Sequence, residues 1–284
     1  MAALYIGLSV FFALLIAHFL KLSEYKGLQI LPVLIVNYVV ASTIAVISNI
    51  SSGMDIIPQF PLFIWALAIF VGVLFILNFF IYSRSIHYNG VGTSVTAMRM
   101  SLLIPILLSI VWYSEELTIF RFLGIILVFL ALFLLVRSRV GLESSQNAKY
   151  LLLILLFLFT GISEAALKVF QMEGMGESTE AHFMFVVFGT AMVTGIIMAL
   201  KSGVRSVSKE EIGMGFLVGI PNLFTSIYLI KALQVADGTL VYSSVNVLIV
   251  IGGALLGFVY WKDKISAMQL AGMGIAVIAI LLVM

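Results

Sequence analysis

Apolar residues fall in long blocks along this chain, separated by short polar breaks. Ten blocks reach the length needed to cross a hydrocarbon layer of about 30 Å as helices. They are Leu4–Leu20, Ile30–Ile47, Leu62–Tyr82, Val91–Tyr113, Ile119–Val136, Tyr150–Phe170, Ala181–Leu200, Ile212–Leu233, Gly238–Trp261 and Ala267–Met284. A helix satisfies its own backbone hydrogen bonds, which makes it the open-ended form that survives in lipid. The alternating segments of a membrane β-barrel are absent. The first block has no basic leader and no A-x-A cleavage site, so it reads as the first span and not as a cleaved signal. The breaks carry turn residues: Ser51-Ser52-Gly53, Asn89-Gly90, Ser144-Ser145-Gln146-Asn147, Gly174-Met175-Gly176 and Ala236-Asp237-Gly238.

Composition decides what surrounds these helices. Hydrophobic residues make up 63% of the 284 and charged residues 10%, against about 25% charged in soluble domains. So few charges cannot cover a water-facing surface. Ten spans of about 20 residues also leave no room for a soluble domain. The net charge of +2 is too small to point to nucleic acid. With no cysteine, disulfides, thiolate nucleophiles and cysteine metal sites are excluded. The expected fold is an all-α integral membrane protein with ten transmembrane helices.

The longest polar connection, Arg137 to Lys149, has five spans on each side, and the two sides match weakly in order. Gly92-Thr93 and Gly238-Thr239 are 146 residues apart, as are Tyr82 and Tyr228. Val71-Gly72 pairs with Val218-Gly219 and Leu20-Lys21 with Leu167-Lys168 at an offset of 147. Glu115-x-Leu117-Thr118-x5-Gly124 pairs with Asp263-x-Ile265-Ser266-x5-Gly272 at 148. Five matches drifting by two residues indicate a duplication, with repeats over 1–140 and 149–284 forming one membrane domain. An odd number of spans per repeat inverts one relative to the other, an arrangement common in secondary transporters. Odd-numbered connections hold ten basic residues: Lys21, Lys26, Arg137, Arg139, Lys149, Lys201, Arg205, Lys209, Lys262 and Lys264. The even side holds three: Arg121, Lys168 and Lys231. Basic residues stay inside, so both termini are expected outside.

The two acid-x-Leu/Ile-Thr/Ser-x5-Gly segments resemble the EamA family of the drug/metabolite transporter superfamily. Leu102-Leu103-Ile104-Pro105-Ile106 leads into Glu115, Thr118 and Gly124, in the order that family shows at the end of each repeat. The second half keeps Asp263, Ser266, Gln269 and Gly272, with Ile251 at the proline position. An Ala232-Leu233 pair typical of the third span's end reads Ser85-Ile86 in the first half. The resemblance implies a ten-helix carrier in a bacterial inner membrane. Its solute would be small, amino acid-like or a related metabolite, moved outward by alternating access and without a cofactor. The alternatives are a lipid-linked carrier flippase and a non-transporting membrane accessory protein.

Charges inside lipid are costly and therefore candidates for function. Glu164 lies about 21 Å and Arg99 about 12 Å from the cytoplasmic ends of their spans at 1.5 Å per residue. Glu164 reads either as a carboxylate that couples transport to a proton or as the helical partner of Lys168 four residues on. Arg99 reads as an anchor for a carboxylate or phosphate; the depths differ by about 9 Å on ideal geometry, which leaves an Arg99–Glu164 contact open. Tyr242 and Asn246 share a face of the ninth span with Thr239, suited to a solute or to helix packing. Asn37, Asn78 and Asn222 are amides within spans, and Pro221 and Pro105 are expected to kink theirs. Tyr82 and Tyr228 read as gates or as interfacial aromatics. Gly215-x-x-x-Gly219 and Gly253-x-x-x-Gly257 read as packing within one subunit, with an oligomer left open.

Glu115, Glu116 and Asp263 sit at helix junctions, where acids cap the N-terminus of the next helix. His18, His87 and His182 do not cluster, so no metal site is expected. There is no phosphate-binding G-x-x-x-x-G-K-[ST] loop, His-Glu-x-x-His or Gly-x-Ser-x-Gly, which argues against ATP-driven transport and against an enzyme.

Overall fold

The computed structural model describes residues 1–89, 91–137, 149–176, 179–202, 207–260 and 266–283. Gly90, Arg139, the Ser144–Asn147 break, Arg205, Lys262, Asp263 and Lys264 lie outside the described residues. Among the described residues eleven α-helices follow one another: α1 (Ala2–Tyr25), α2 (Ile30–Ser51), α3 (Leu62–Asn89), α4 (Val91–Met100), α5 (Leu103–Val111), α6 (Ile119–Arg137), α7 (Tyr150–Val169), α8 (Glu180–Lys201), α9 (Lys209–Leu233), α10 (Gly238–Val259) and α11 (Ala267–Val283). A π-helical turn, Phe170–Gly174, prolongs α7. No strand occurs among the described residues. The described chain is thus all-α, and among the described residues seven helices are long and apolar enough to cross a membrane. The apolar helical stretches Ala97–Val111, Ile119–Leu134 and Leu270–Val283 are shorter.

Local chemistry sets the helix ends. Gly27 and Gly53 adopt φ of 68° and 71°, a region where a Cβ is disfavoured. Each closes a helix with the same pair of bonds: Leu28 N to Ser23 O and Gly27 N to Glu24 O after α1, Met54 N to Asn49 O and Gly53 N to Ile50 O after α2. At the other ends, Thr179 with His182 caps α8, and Ser208 with Glu211 caps α9.

The fourth apolar run, read from sequence as one span, is two helices. Pro105 has no N–H to offer the carbonyl four residues earlier. Ser101 O instead accepts from Ile104 N at 2.9 Å, and the chain turns at Ser101-Leu102 between α4 and α5. α9, by contrast, stays helical through Pro221.

Packing divides the chain into two compact units that do not follow the sequence repeats. The first holds Met1–Ile76 and Val169–Gln234, the second Leu77–Lys168 and Val235–Met284. In the first unit α9 packs on α1 and α2, and α2 also packs on α8. A Cβ on Gly219 would lie 2.7 Å from Asn37 O and 2.9 Å from Val40 Cβ. A Cβ on Gly72 would lie 2.5 Å from Val187 O and 2.6 Å from Thr190 Cβ. The two glycines are 147 residues apart and their partners 150, so α3 meets α8 and α9 meets α2 through residues at similar offsets. Gly215 likewise seats on Val33 and Val36, so Gly215-x-x-x-Gly219 packs inside the subunit.

In the second unit α11 runs along α6, and α10 packs on α5, α6 and α11. Gly161 of α7 seats at the α4–α5 break, where a Cβ would stand 2.8 Å from Ser101 O and 2.5 Å from the end of Ile104. The break is therefore covered by a close helix backbone.

Candidate functional site

Arg99 stands in the last turn of α4, just before the break. A helix C-terminus carries partial negative charge and favours a cation there. Its Nη1 donates to Asn246 Oδ1 at 3.2 Å, and Asn246 Nδ2 donates to Tyr242 O one turn back along α10. Tyr242 is almost fully buried, and its hydroxyl donates to the backbone carbonyl of Glu164 at 2.8 Å. Glu164 lies within electrostatic reach of Arg99 and of Asn246, and Tyr82 within reach of Arg99. Glu164 Oε2 is buried without a hydrogen-bond partner. Three helices, α4, α7 and α10, thus converge one guanidinium, one carboxylate, one amide and one phenol.

A second charged group lies one turn further along α7. Lys168 Nζ pairs with Glu115 Oε1 at 3.1 Å, their side chains only 5% and 7% exposed. Glu115 also accepts from Gly238 N at 2.6 Å, Thr239 N at 3.0 Å and Thr239 Oγ1 at 3.0 Å. These are the unpaired first donors of α10, which a carboxylate satisfies well. Burial pushes the Glu115 carboxyl up. The N–H groups of Thr239 and Gly238 and the charge of Lys168 outweigh it and hold the group below the usual glutamate range. Lys168 also lies 5.8 Å from the centre of the Tyr113 ring.

No family model matches the chain. A Haemophilus influenzae protein described as an uncharacterized protein is 30% identical over 205 residues, covering 71% of this chain and 69% of that protein. The chain belongs to that protein's family. The crystal structure of another protein aligns with a TM-score of 0.75 at 17% identity, over 99% of this chain and 95% of that one. At that identity the likeness shows a shared fold.

The structure gathers Arg99, Glu164, Tyr82, Tyr242 and Asn246. Asn78 is in the same unit and donates to Thr160 Oγ1 of α7 at 3.0 Å. Asn37, Asn222 and Tyr228 belong to the first unit. There Asn222 Nδ2 donates to Asn37 Oδ1 at 3.0 Å, and Tyr228 stacks on Phe12, Tyr5 and Phe224. Two readings change. Lys168 pairs with Glu115 and not with Glu164, and Glu115 caps α10 and not the helix that follows it. The Glu115–Lys168 pair was not readable from spacing, because its members are 53 residues apart. The one available signal was the recurrence of Glu115, Gly238-Thr239 and Lys168 at repeat-matched positions.

Proposed function

We propose that this chain is a secondary transporter of the drug/metabolite transporter superfamily, EamA family. In this reading ten helices, in two inverted five-helix repeats, carry a small amino acid-like metabolite outward by alternating access. The observation that carries the proposal is the Arg99–Asn246–Glu164 network on α4, α7 and α10, set beside a helix broken at Ser101-Leu102. Charged side chains at this depth serve substrate or ion pathways, and interrupted helices mark the binding sites of such carriers. Arg99 anchors the solute's carboxylate. Glu164 carries the coupling proton, because a carboxylate whose hydration and cation partner change between access states binds and releases one. The matching seats of Gly72 and Gly219 support the inverted duplication, and the ten-to-three bias in basic residues supports termini on the outside.

The test begins with melting curves of the purified protein against amino acids, nucleosides, sugars and lipid phosphates, since a ligand of the native state raises the melting temperature. The stabilising solute then goes into proteoliposomes under a pH gradient. Wild type accumulates it; Glu164→Gln abolishes accumulation while keeping exchange. A Glu164→Gln protein with full pH-driven accumulation overturns the coupling role. Absence of any gradient-driven movement in wild type overturns the transport reading.

A further inference from the structure

One polar stripe of α10 faces the other helices of its unit. Thr239, Ser243 and Asn246 are spaced four and three residues apart, within about 60° of one another around the helix. Thr239 donates to Glu115 at one end, and Asn246 accepts from Arg99 at the other. Ser243 lies between them, fully buried, and its Oγ has no hydrogen-bond partner. A serine or threonine inside a helix ordinarily satisfies itself on the carbonyl four residues earlier. Ser163, Thr194 and Thr43 do so, on Phe159 O, Thr190 O and Val39 O at 2.7 to 2.9 Å. Ser243 does not. A buried hydroxyl held open costs stability, because it has left water and gained no partner. Glu164 Oε2, on α7, is open in the same way. Ser109 Oγ and Asn78 Oδ1 are open too, but Asn78 keeps its bond to Thr160 and Ser109 lies under Gly238 at the capped start of α10. Ser243 is the open hydroxyl on the stripe that reaches Arg99.

We propose that Ser243 is a specificity-determining residue of the solute site, its hydroxyl taking a hydroxyl or amide group of the solute whose carboxylate Arg99 holds. This rests on the transport reading above. Asn246 is fixed by the bond from its own amide nitrogen to Tyr242 O, so it presents Oδ1 to Arg99. It thereby holds the place of a carboxylate oxygen. A solute that takes over that place enters beside Ser243, since residues three apart on a helix have Cβ atoms about 5–6 Å apart. That distance spans a few covalent bonds, so the second polar group belongs on the side chain of a small acid. The cargo class narrows to small acids that carry a hydroxyl or an amide, and away from purely aliphatic or aromatic ones. The physics is that of an unmet hydrogen bond. A polar cargo gives Ser243 the partner it lacks, whereas an apolar isostere leaves it open. A site built around a hydrogen bond rejects the analogue that lacks it.

Isosteric pairs test this directly: threonine against valine and asparagine against leucine, each pair alike in shape and different in polarity. Affinity for the purified full chain in detergent is taken from melting shifts over a concentration series. In wild type the polar member of at least one pair should bind about tenfold tighter than its isostere. Ser243→Ala should bring that ratio close to one. Ser163→Ala, which removes a hydroxyl bonded within its own helix, should keep it. The empty Ser243→Ala protein should melt no lower than wild type, because the hydroxyl it loses has no partner. Equal affinities within both pairs in wild type, or no binding by any of the four, overturn the assignment. So does a preference that survives Ser243→Ala, or one that falls equally in Ser163→Ala. A Ser243→Ala protein that unfolds or melts well below wild type overturns it as well, since the hydroxyl then serves the fold. A protein that shows the Ser243-dependent preference and moves no solute in proteoliposomes loses the transport reading alone. One that accumulates a solute without that preference loses this assignment alone.

Discussion

The first unit ties its helices with neutral groups. Asn222 donates to Asn37, Ser9 to Thr225 O and Ser42 to Phe185 O. Its described charged side chains stand in connections or near helix ends, where Glu211, for example, caps α9 and accepts from Gln29 N. The second unit places Arg99, Glu164, Lys168 and Glu115 in series along α4, α7 and α10. Positions at a common offset sharpen the contrast. Asn78 and Thr225 are 147 residues apart, one in each unit, and Asn78 bonds to α7 while Thr225 bonds to α1. The helical frame is thus alike in the two units while the charge is not. Neutral pairs in lipid glue helices at modest energy. Charges cost much more to bury, which makes the four of the second unit the candidates for function.

The largest effect expected of a substitution on stability lies in the charged series. Glu164→Gln takes the nearby carboxylate from Arg99, which keeps Asn246, and should cost about 3 kcal/mol at most, the lower end of the cost of breaking a fully buried pair. Arg99→Gln should cost less, because a carboxylate left without its cation can take a proton and become neutral, which arginine cannot do by losing one. The double variant should recover most of the loss, since neither charge is then left alone. Equilibrium unfolding in detergent measures all three. A double variant as unstable as Glu164→Gln would reduce these residues to independent polar groups and erase the contrast with the first unit.

A smaller effect is expected at the neutral pair. Asn222→Leu leaves the buried Asn37 amide without its donor and should cost about 2 kcal/mol. Leucine at both positions should be close to neutral, because two matched apolar groups need no hydrogen bond. Transport by that double variant should survive if the pair is glue. Loss of transport with stability intact would move Asn37 and Asn222 into the solute path and break the division between the units.

Much of this was legible along the chain. The apolar runs locate the helices, and depth alone singles out Arg99 and Glu164, because lipid tolerates few charges there. Three features were not legible, for physical reasons. Pro105 announces a bend but not the turn at Ser101-Leu102, which also depends on Gly161 seating its backbone against the break. The 9 Å offset in ideal depth left Arg99 and Glu164 unjoined, whereas Asn246 on a third helix links them. Spacing rewards neighbours on one helix, so Lys168 read as the partner of Glu164, while its ion pair comes from Glu115, on the far side of α6 in sequence.

The smallest effect concerns Glu115 and pH, and it separates a charge at a helix junction from those deeper in. Burial alone would raise its pKa; the N–H groups of Thr239 and Gly238 and the nearby Lys168 ammonium reverse this and leave it depressed. The folded state then holds its proton less tightly than the unfolded chain does. Its contribution to stability is complete above the unfolded glutamate value of about 4.3 and is lost as pH falls from there through the folded value. Melting temperature should therefore drop between about pH 6 and about pH 3, more steeply in wild type than in Glu115→Gln. Lys168→Met should flatten the wild-type curve only in part, since three donors from α10 remain on the carboxylate. Parallel curves for wild type and Glu115→Gln would mean that the cap adds nothing in its charged form.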